Sequence, residues 1–355
     1  MTINTVDLRA AVTRGILTEA QSAQLIALST TRRSAKAGLS AKEEPFVLFK
    51  GFNEVFVVVG LTILFSGWVG VAFLMGLDLD APTGLTTILL SLGTILGLAA
   101  VGNYFTTQRR MIAPSIALSI MTALSAGVLG LALVGTSSAL YEGALVAMIV
   151  ALIMAGHYAL FRVPFSAAII AGAIYYAIWS AWSGILVNSL VPSTLGEPGG
   201  GAAWLSLSVV TVLFGLAVFA LAMRLDFSDP ERVSTRSATA FWLHVVAAPA
   251  IVNTIAMRLL ADGGAVAQGL LLAFLLAIAV VAIVIDRRSF LISGAGYSVA
   301  LAVTLFSGGA AFAILILGLI LVLLGAQWER LRARLMAALP DFPGKSNLPA
   351  YGILQ

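Results

Sequence analysis

The sequence contains no cysteine, only two histidines and few charged residues. Without cysteine the chain cannot form a disulfide, a thiolate metal site or a cysteine-ligated iron–sulfur cluster. Charged residues make up 10% of the chain and hydrophobic residues 60%, whereas soluble domains contain about 25% charged residues. This composition excludes an ordinary soluble domain. The sequence also lacks the segments of alternating apolar and polar residues that a membrane β-barrel requires.

Long apolar runs of helical character are abundant. Ten runs are long enough to cross about 30 Å of hydrocarbon, roughly 52–76, 84–104, 112–134, 139–160, 164–190, 203–223, 238–260, 266–285, 289–306 and 309–327. The sequence therefore predicts an all-α, polytopic transmembrane helical bundle of about ten spans. Only Ser307, Gly308 and Gly309 separate the last two runs, which can alternatively form a short re-entrant or interfacial hairpin.

The basic residues predict the orientation of the bundle, because cytoplasmic connections carry an excess of Lys and Arg. With ten spans, every Lys and Arg except Arg258 falls before the first span, in the even-numbered connections or after the last span. We therefore expect both termini to be cytoplasmic.

Three regions follow from this topology. Residues 1–45 form a cytoplasmic helical hairpin and linker, in which Gly15 ends the first helix and Thr18 and Gln21 form a capping box for the second. Residues 46–327 form the transmembrane domain. Residues 328–355 form a cytoplasmic amphipathic helix and tail at the lipid headgroups, with an apolar face of Trp328, Leu331, Leu335 and Ala338.

Catalytic, nucleotide-binding and metal-binding motifs are absent. No GxxxxGK[ST], HExxH or GxSxG pattern occurs, and no pair of carboxylates lies inside an apolar run. Haem is disfavoured because His157 and His244 are predicted at unequal depths. We expect a protein that is not an enzyme, has no cofactor, and has the lipid bilayer rather than nucleic acid as its partner.

Polar residues inside spans are the first candidates for function, because they are costly to bury in hydrocarbon. His244 lies in the seventh span, ahead of Pro249 and Asn253. Pro249 frees the carbonyl of Val245, so these groups can line a pathway or hold a ligand. Alternatively, His244 is a structural residue bonded to a neighbouring helix, an interpretation favoured by the lack of a nearby carboxylate.

Two further candidates are less distinctive. The fifth span carries Tyr176, Trp179 and Ser183, which either line a pathway or pack as an ordinary aromatic helix face. Glu54, at the start of the first span, is a candidate interfacial gate. Its alternative is an interfacial carboxylate stabilised by the helix dipole.

Two pairs of small residues predict close helix approach. They are Gly93 with Gly97 in the second span and Ala126 with Gly130 in the third. His157, near the end of the fourth span, is expected to extend toward water as part of an aromatic belt.

Two segments resemble an uncharacterised family of bacterial membrane proteins. They are 14–21, RGILTEAQ, and 241–249, which includes Phe241-Trp242-Leu243-His244 and Pro249. The resemblance implies a multi-pass protein of the bacterial inner membrane and no assigned chemistry.

Two functions remain open. A transporter or channel for a small weakly polar solute is favoured, because accessory proteins seldom need ten spans. Two halves of five spans would have inverted topology, although they share no clear sequence similarity. The alternative is a non-catalytic accessory or scaffold subunit that assembles with itself or with a membrane complex.

Overall fold

The structure is a computed structural model that describes residues 5–18, 21, 22, 24, 25, 29, 53–79, 82–135, 141–189, 201–230, 232, 234–305 and 310–349. Within these residues it is helical and contains no strand, as the sequence predicts. The α-helices described are α1 Thr5–Thr13, α2 Asn53–Leu74, α3 Leu85–Gly102, α4 Ile112–Val134, α5 Glu142–Phe161, α6 Pro164–Ser189, α7 Gly201–Phe227, α8 Thr235–Asp262, α9 Gly264–Ile285, α10 Ser289–Leu305, α11 Ala310–Ala326 and α12 Trp328–Ala338. A π-helical turn, Asn103–Gln108, extends α3.

The chain is a multi-pass membrane protein. In the described residues, the eight helices α2–α9 are long and apolar enough to cross a membrane. Helices α10 and α11 have 17 residues each and span only about 26 Å at 1.5 Å per residue. The end of α11 is bent by 79° against α12, and this pair counts as a ninth span if it is one broken helix. By length and apolarity, the described residues thus contain eight or nine candidate spans, consistent with the predicted all-α bundle of about ten.

Helices α4 and α8 lie at the centres of two groups of helices. They are the most buried spans, with 56% and 44% of their apolar windows inside the molecule. Helix α4 packs against α2, α3, α5 and α6, whereas α8 packs against α6, α7, α9 and α10. Helix α6 contacts both central helices and therefore joins the two groups.

One predicted close approach is confirmed in the first group. Ala126 is fully buried on α4. A Cβ added to Gly130 would lie 3.3 Å from the backbone of Val146 on α5. The missing side chain of Gly130 lets the two helix backbones approach closely.

Contacts between helix ends place the even-numbered connections at one end of the bundle. Tyr158 near the end of α5 lies 3.3 Å from Thr239 near the start of α8, hydroxyl to hydroxyl. Ser119 in the first half of α4 lies 3.2 Å from Ser166 at the start of α6. Arg232 before α8 pairs with Asp286 after α9 at 2.9 Å. We call this the basic end, since it carries Arg109, Arg110, Arg162, Arg224, Arg232, Arg236, Arg287 and Arg288.

The basic-end connections turn at left-handed residues. Each contains one non-glycine residue with φ between 51° and 57°, namely Arg110, Arg162, Arg232 or Asp286. A left-handed residue after a helix ends its hydrogen-bonding ladder and reverses the chain. The two at Arg162 and Asp286 immediately follow α5 and α9.

The terminal segments fit the sequence in part. Gly15 has φ 70° after α1, and Thr18 and Gln21 exchange the two capping-box hydrogen bonds. Residues 21, 22, 24, 25 and 29 are helical, and the other residues of the second predicted helix and the linker at 34–45 lie outside the described residues. At the other end, α12 forms as expected but buries Trp328, Arg332, Ala333 and Met336. Leu331, assigned to the apolar face, is 37% exposed.

Candidate functional site

The largest concentration of buried charge in the described residues lies at the basic end, around Asp226. Helix α7 runs to Phe227, so Asp226 lies in its last turn, and its side chain is 5% exposed. Arg287 donates to both carboxylate oxygens, with 3.0 Å between Nε and Oδ2. His244 Nε2 lies 3.0 Å from the same Oδ2. We call Asp226, His244 and Arg287 the ionic cluster.

Arg287 reaches Asp226 because of the corner after α9. Asp286 adopts the left-handed conformation, and the backbone N–H of Arg287 then donates to the carbonyl of Ala282. Arg287 Nη2 also donates to the Ser237 carbonyl on α8 at 3.2 Å. One guanidinium therefore fastens the end of α7, the start of α8 and the α9–α10 corner together. The planar fork of arginine suits such multiple contacts.

His244 is enclosed completely, with no exposed surface. Its ring lies edge-on to Phe219 and Phe290, at centroid distances of 5.5 and 5.9 Å. Its Nδ1 atom is buried, and no described residue forms a hydrogen bond with it. Because the Asp226 carboxylate accepts hydrogen bonds, we assign the proton of neutral His244 to Nε2. The bare Nδ1 is then a buried acceptor for a proton or a hydrogen-bond donor.

A second set of polar contacts surrounds the ionic cluster. Asp286 Oδ2 pairs with Arg232 at 2.9 Å, and Asp286 Oδ1 accepts a hydrogen bond of 2.7 Å from Trp328 Nε1. Burial is the main cause of the lowered pKa of Arg232, and Asp286 acts in the opposite direction. Arginine nevertheless stays charged at neutral pH. Nearby, Asp229 accepts from the backbone and hydroxyl of Ser234, the N-cap of α8.

The expectation that His244 has no carboxylate near it is wrong. The sixth span was predicted to end at residue 223, but α7 continues to Phe227 and carries Asp226 into the bundle. The interpretation of His244 as a side chain bonded to a neighbouring helix agrees with the contact to α7. Sequence reasoning missed Asp226 and Arg287 because hydropathy assigned both residues to connections.

The other residues of the predicted polar stripe do not join His244. Pro249 is exposed on the outside of α8, and Asn253 is half-buried. His244 and Asn253 are nine residues apart, which is about 180° around an α-helix. The two side chains therefore lie on opposite faces, and α8 has no continuous polar stripe between them.

The fifth-span candidates lie on the outer surface of α6. Tyr176 and Trp179 are 51% and 40% exposed, and their rings stack at 6.1 Å. Ser183 donates to the carbonyl of Trp179 at 2.7 Å, within its own helix. These contacts fit an aromatic face toward lipid, and a pathway along α6 stays a prediction.

Glu54, in the first turn of α2, is buried. Its side chain has no exposed surface, and one carboxylate oxygen accepts from the backbone N–H of Ala113 at 3.2 Å. It thereby satisfies one of the free N–H groups in the first turn of α4, where the helix dipole favours negative charge. Its proposed role as a gate stays a prediction.

His157 does not extend toward water as expected. It is 7% exposed and its Nδ1 lies 3.1 Å from the hydroxyl of Ser166 on α6. That hydroxyl lies 3.2 Å from Ser119 on α4. Both histidines of the chain thus take part in buried polar contacts at the basic end.

A cavity of about 370 Å³ lies between α2, α3 and α4. In it, Trp68 Nε1 donates to the Thr94 hydroxyl at 2.7 Å, and that hydroxyl donates to the carbonyl of Leu90 at 2.7 Å. Gly93 and Gly97 line it, and an added Cβ at either would have no atom within 4 Å. The predicted close helix approach at these two glycines is therefore wrong. The remaining lining residues are Leu61, Leu64, Phe65, Leu98, Val101, Leu118 and Met121.

Comparison with known proteins adds no assignment. No protein-family model matches the chain, and no curated protein or solved structure matches it.

Proposed function

We propose that this protein is a transporter or carrier for a small, weakly polar solute, and that the cavity between α2, α3 and α4 binds it. The observation that carries the proposal is the cavity itself. Its volume of about 370 Å³ lies within the range of small-molecule sites, which are concave and mostly apolar with few polar groups.

The lining selects for a solute with little polarity. None of the described residues that line the cavity is charged, so an ionic solute would enter without a counter-charge, which is costly inside a membrane. The Trp68 indole N–H donates to the Thr94 hydroxyl, which itself donates to the carbonyl of Leu90. A solute oxygen can therefore accept from Trp68 while Thr94 stays bonded to Leu90.

The cavity opens sideways between two helices. Helices α2 and α3 both pack on α4, and Leu64 at the cavity wall is 67% exposed. A solute dissolved in the hydrocarbon can therefore reach the site from the bilayer. The proposal places the protein in the bacterial inner membrane, as the family resemblance implies, and includes no catalytic step.

Native mass spectrometry of the protein extracted with its own lipids tests this function. We expect a bound small molecule at fixed stoichiometry, which Gly97→Leu removes by filling the cavity. Gly269→Leu is the matched control, because Gly269 is exposed on α9 and also has open space around it. A molecule retained in Gly97→Leu would refute the site.

The same spectrum tests the alternative function. A second polypeptide at fixed stoichiometry, with no small molecule, would identify an accessory subunit instead. Thr94→Val then refines a positive result, since it removes the cavity's hydroxyl while preserving its shape. Because Thr94→Val leaves the Trp68 N–H without its acceptor, we expect it to strengthen binding of a solute that carries a carbonyl or hydroxyl oxygen and to leave binding of a pure hydrocarbon unchanged.

A further inference from the structure

The segment after the last apolar helix folds back under the bundle. Helix α12 leaves α11 at 79° and buries Trp328 and Met336 against the rest of the chain. The tail then returns, so that Arg332 Nη2 donates to the carbonyl of Pro349 at 2.8 Å. Residues 328–349 thus form one docked unit, which we call the C-terminal cover.

The cover docks on residues adjacent in sequence to the ionic cluster. Trp328 donates to Asp286 and its ring lies under the Arg288 guanidinium at 5.2 Å. These two residues flank Arg287 in the chain. On the other side, a Cβ at Gly344 would lie 3.4 Å from the ring of Phe227, which follows Asp226. The cover therefore contacts both chain segments that supply the Asp226–Arg287 ion pair.

The ionic cluster needs such a cover to stay dry. Asp226 and Arg287 lie in the last turn of α7 and at the α9–α10 corner, both at the basic end, yet they are only 5% and 6% exposed. Charged groups at helix ends would ordinarily be in water. Here water is excluded, which strengthens the interaction between the two charges.

The C-terminal cover is joined to α11 by one residue and is positioned so that it can undock from the bundle. Only Gln327 separates α11 from α12, and its φ of −104° and ψ of 16° are not helical. In the described residues, Trp328 forms its hydrogen bond to the bundle with the carboxylate of Asp286, which also forms an ion pair with Arg232. Movement of the Trp328 indole away from Asp286 would leave this carboxylate with Arg232 alone and uncover the corner that positions Arg287.

We propose that the C-terminal cover is a lid over the ionic cluster, and that its undocking admits water to Asp226 and Arg287. The closed state is the one observed. Opening at Gln327 exposes the Asp226–Arg287 ion pair without moving α7, α8 or α9. This inference does not depend on the proposed transport function.

The absence of cysteine makes the lid directly testable. Ser237→Cys introduces a thiol in contact with Arg287, at a site that is 7% exposed. Its reaction with a charged, water-soluble maleimide is measured in nanodiscs, where both faces are accessible. We expect slow labelling in the otherwise unchanged protein. Trp328→Phe, which keeps the ring but removes the N–H donor, should accelerate labelling about tenfold, because the reactive state is the open state.

Two matched cysteines separate lid opening from other effects. Ser228→Cys, exposed beside the end of α7, should react quickly in every background. Ser119→Cys, fully buried on α4, should stay protected in every background and would report general unfolding if it reacted.

A chain ending at Gln327 gives the strongest test. Ser237→Cys should then react nearly as fast as Ser228→Cys while Ser119→Cys stays protected. Two results would overturn the lid: fast labelling of Ser237→Cys with the cover intact, or continued protection of Ser237→Cys after the cover is removed.

Discussion

Replacing Arg287 with Met would show how strongly the ionic cluster stabilises the bundle. Arg287 donates to both oxygens of Asp226 and to the Ser237 carbonyl. Without it, the Asp226 charge stays buried with His244 as its described partner. Removing one member of a buried ion pair costs about 3–5 kcal/mol, since the other charge is left uncompensated. We expect Arg287→Met to lower the free energy of unfolding by about this amount.

A double variant isolates the charge from the loss of packing. Adding Asp226→Asn to Arg287→Met removes the unpaired charge while keeping an acceptor for His244, so stability should return to within about 1 kcal/mol of the parent. Arg258→Met is the control, because Arg258 is 59% exposed and lies 3.3 Å from Asp262. An exposed pair of this kind contributes at most about 0.5 kcal/mol.

The assay is reversible unfolding in mixed micelles with an increasing fraction of sodium dodecyl sulfate, followed by tryptophan fluorescence. The reasoning is refuted if Arg287→Met is as mild as Arg258→Met. It is equally refuted if the losses from Asp226→Asn and Arg287→Met simply add, because coupled charges must compensate each other.

Two further predictions concern helix spacing and protonation. Gly130→Ala should destabilise the bundle by about 1–3 kcal/mol, because the new Cβ meets the backbone of α5. Gly97→Ala should be tolerated or slightly stabilising, because an added Cβ there has open space. The same unfolding assay compares the two variants, and equal losses of stability would contradict the observed helix spacing. In a His157→Asn background, ¹⁵N-histidine NMR should show His244 protonated at Nε2 with a bare Nδ1, and the opposite tautomer would contradict the assigned hydrogen bond to Asp226.

The sequence predicts most helix boundaries because apolar runs end where polar or turn-forming residues begin. Helix α4 occupies Ile112–Val134, the predicted range, and α6 begins at Pro164 as expected. The predicted end of the sixth span is wrong because a hydropathy pattern places the end of a span at the first charged residue, whether or not that residue is buried. Asp226 is buried only because Arg287, 61 residues further along the chain, reaches it. No local spacing contains that information.

The cavity shows a similar limit. A pair of small residues four positions apart indicates that another helix can approach closely. Whether a helix does so depends on the path of the neighbouring helix. Gly130 meets the backbone of Val146, whereas Gly93 and Gly97 face open space because α2 packs against α4 instead of α3. The same pattern thus gives a tight contact on one helix and a cavity wall on another.

The positions of the central helices argue against inverted halves. Inversion of two five-span halves would relate the seventh span to the second, which forms α3, but the structure gives the corresponding central position to α4. Helices α4 and α8 are four helices apart and therefore run in the same direction. Each follows a connection with a left-handed arginine, Arg110 or Arg232.

The two groups of helices differ in the polar residues that they bury. The group around α4 contains the apolar cavity and hydroxyl contacts such as Ser119 with Ser166. The group around α8 contains the ionic cluster beneath the C-terminal cover. Helix α6 packs against both α4 and α8 and is the physical link between the two groups in the described residues. If opening of the cover alters solute binding, variants at the α6 contacts should weaken that coupling while leaving each site intact.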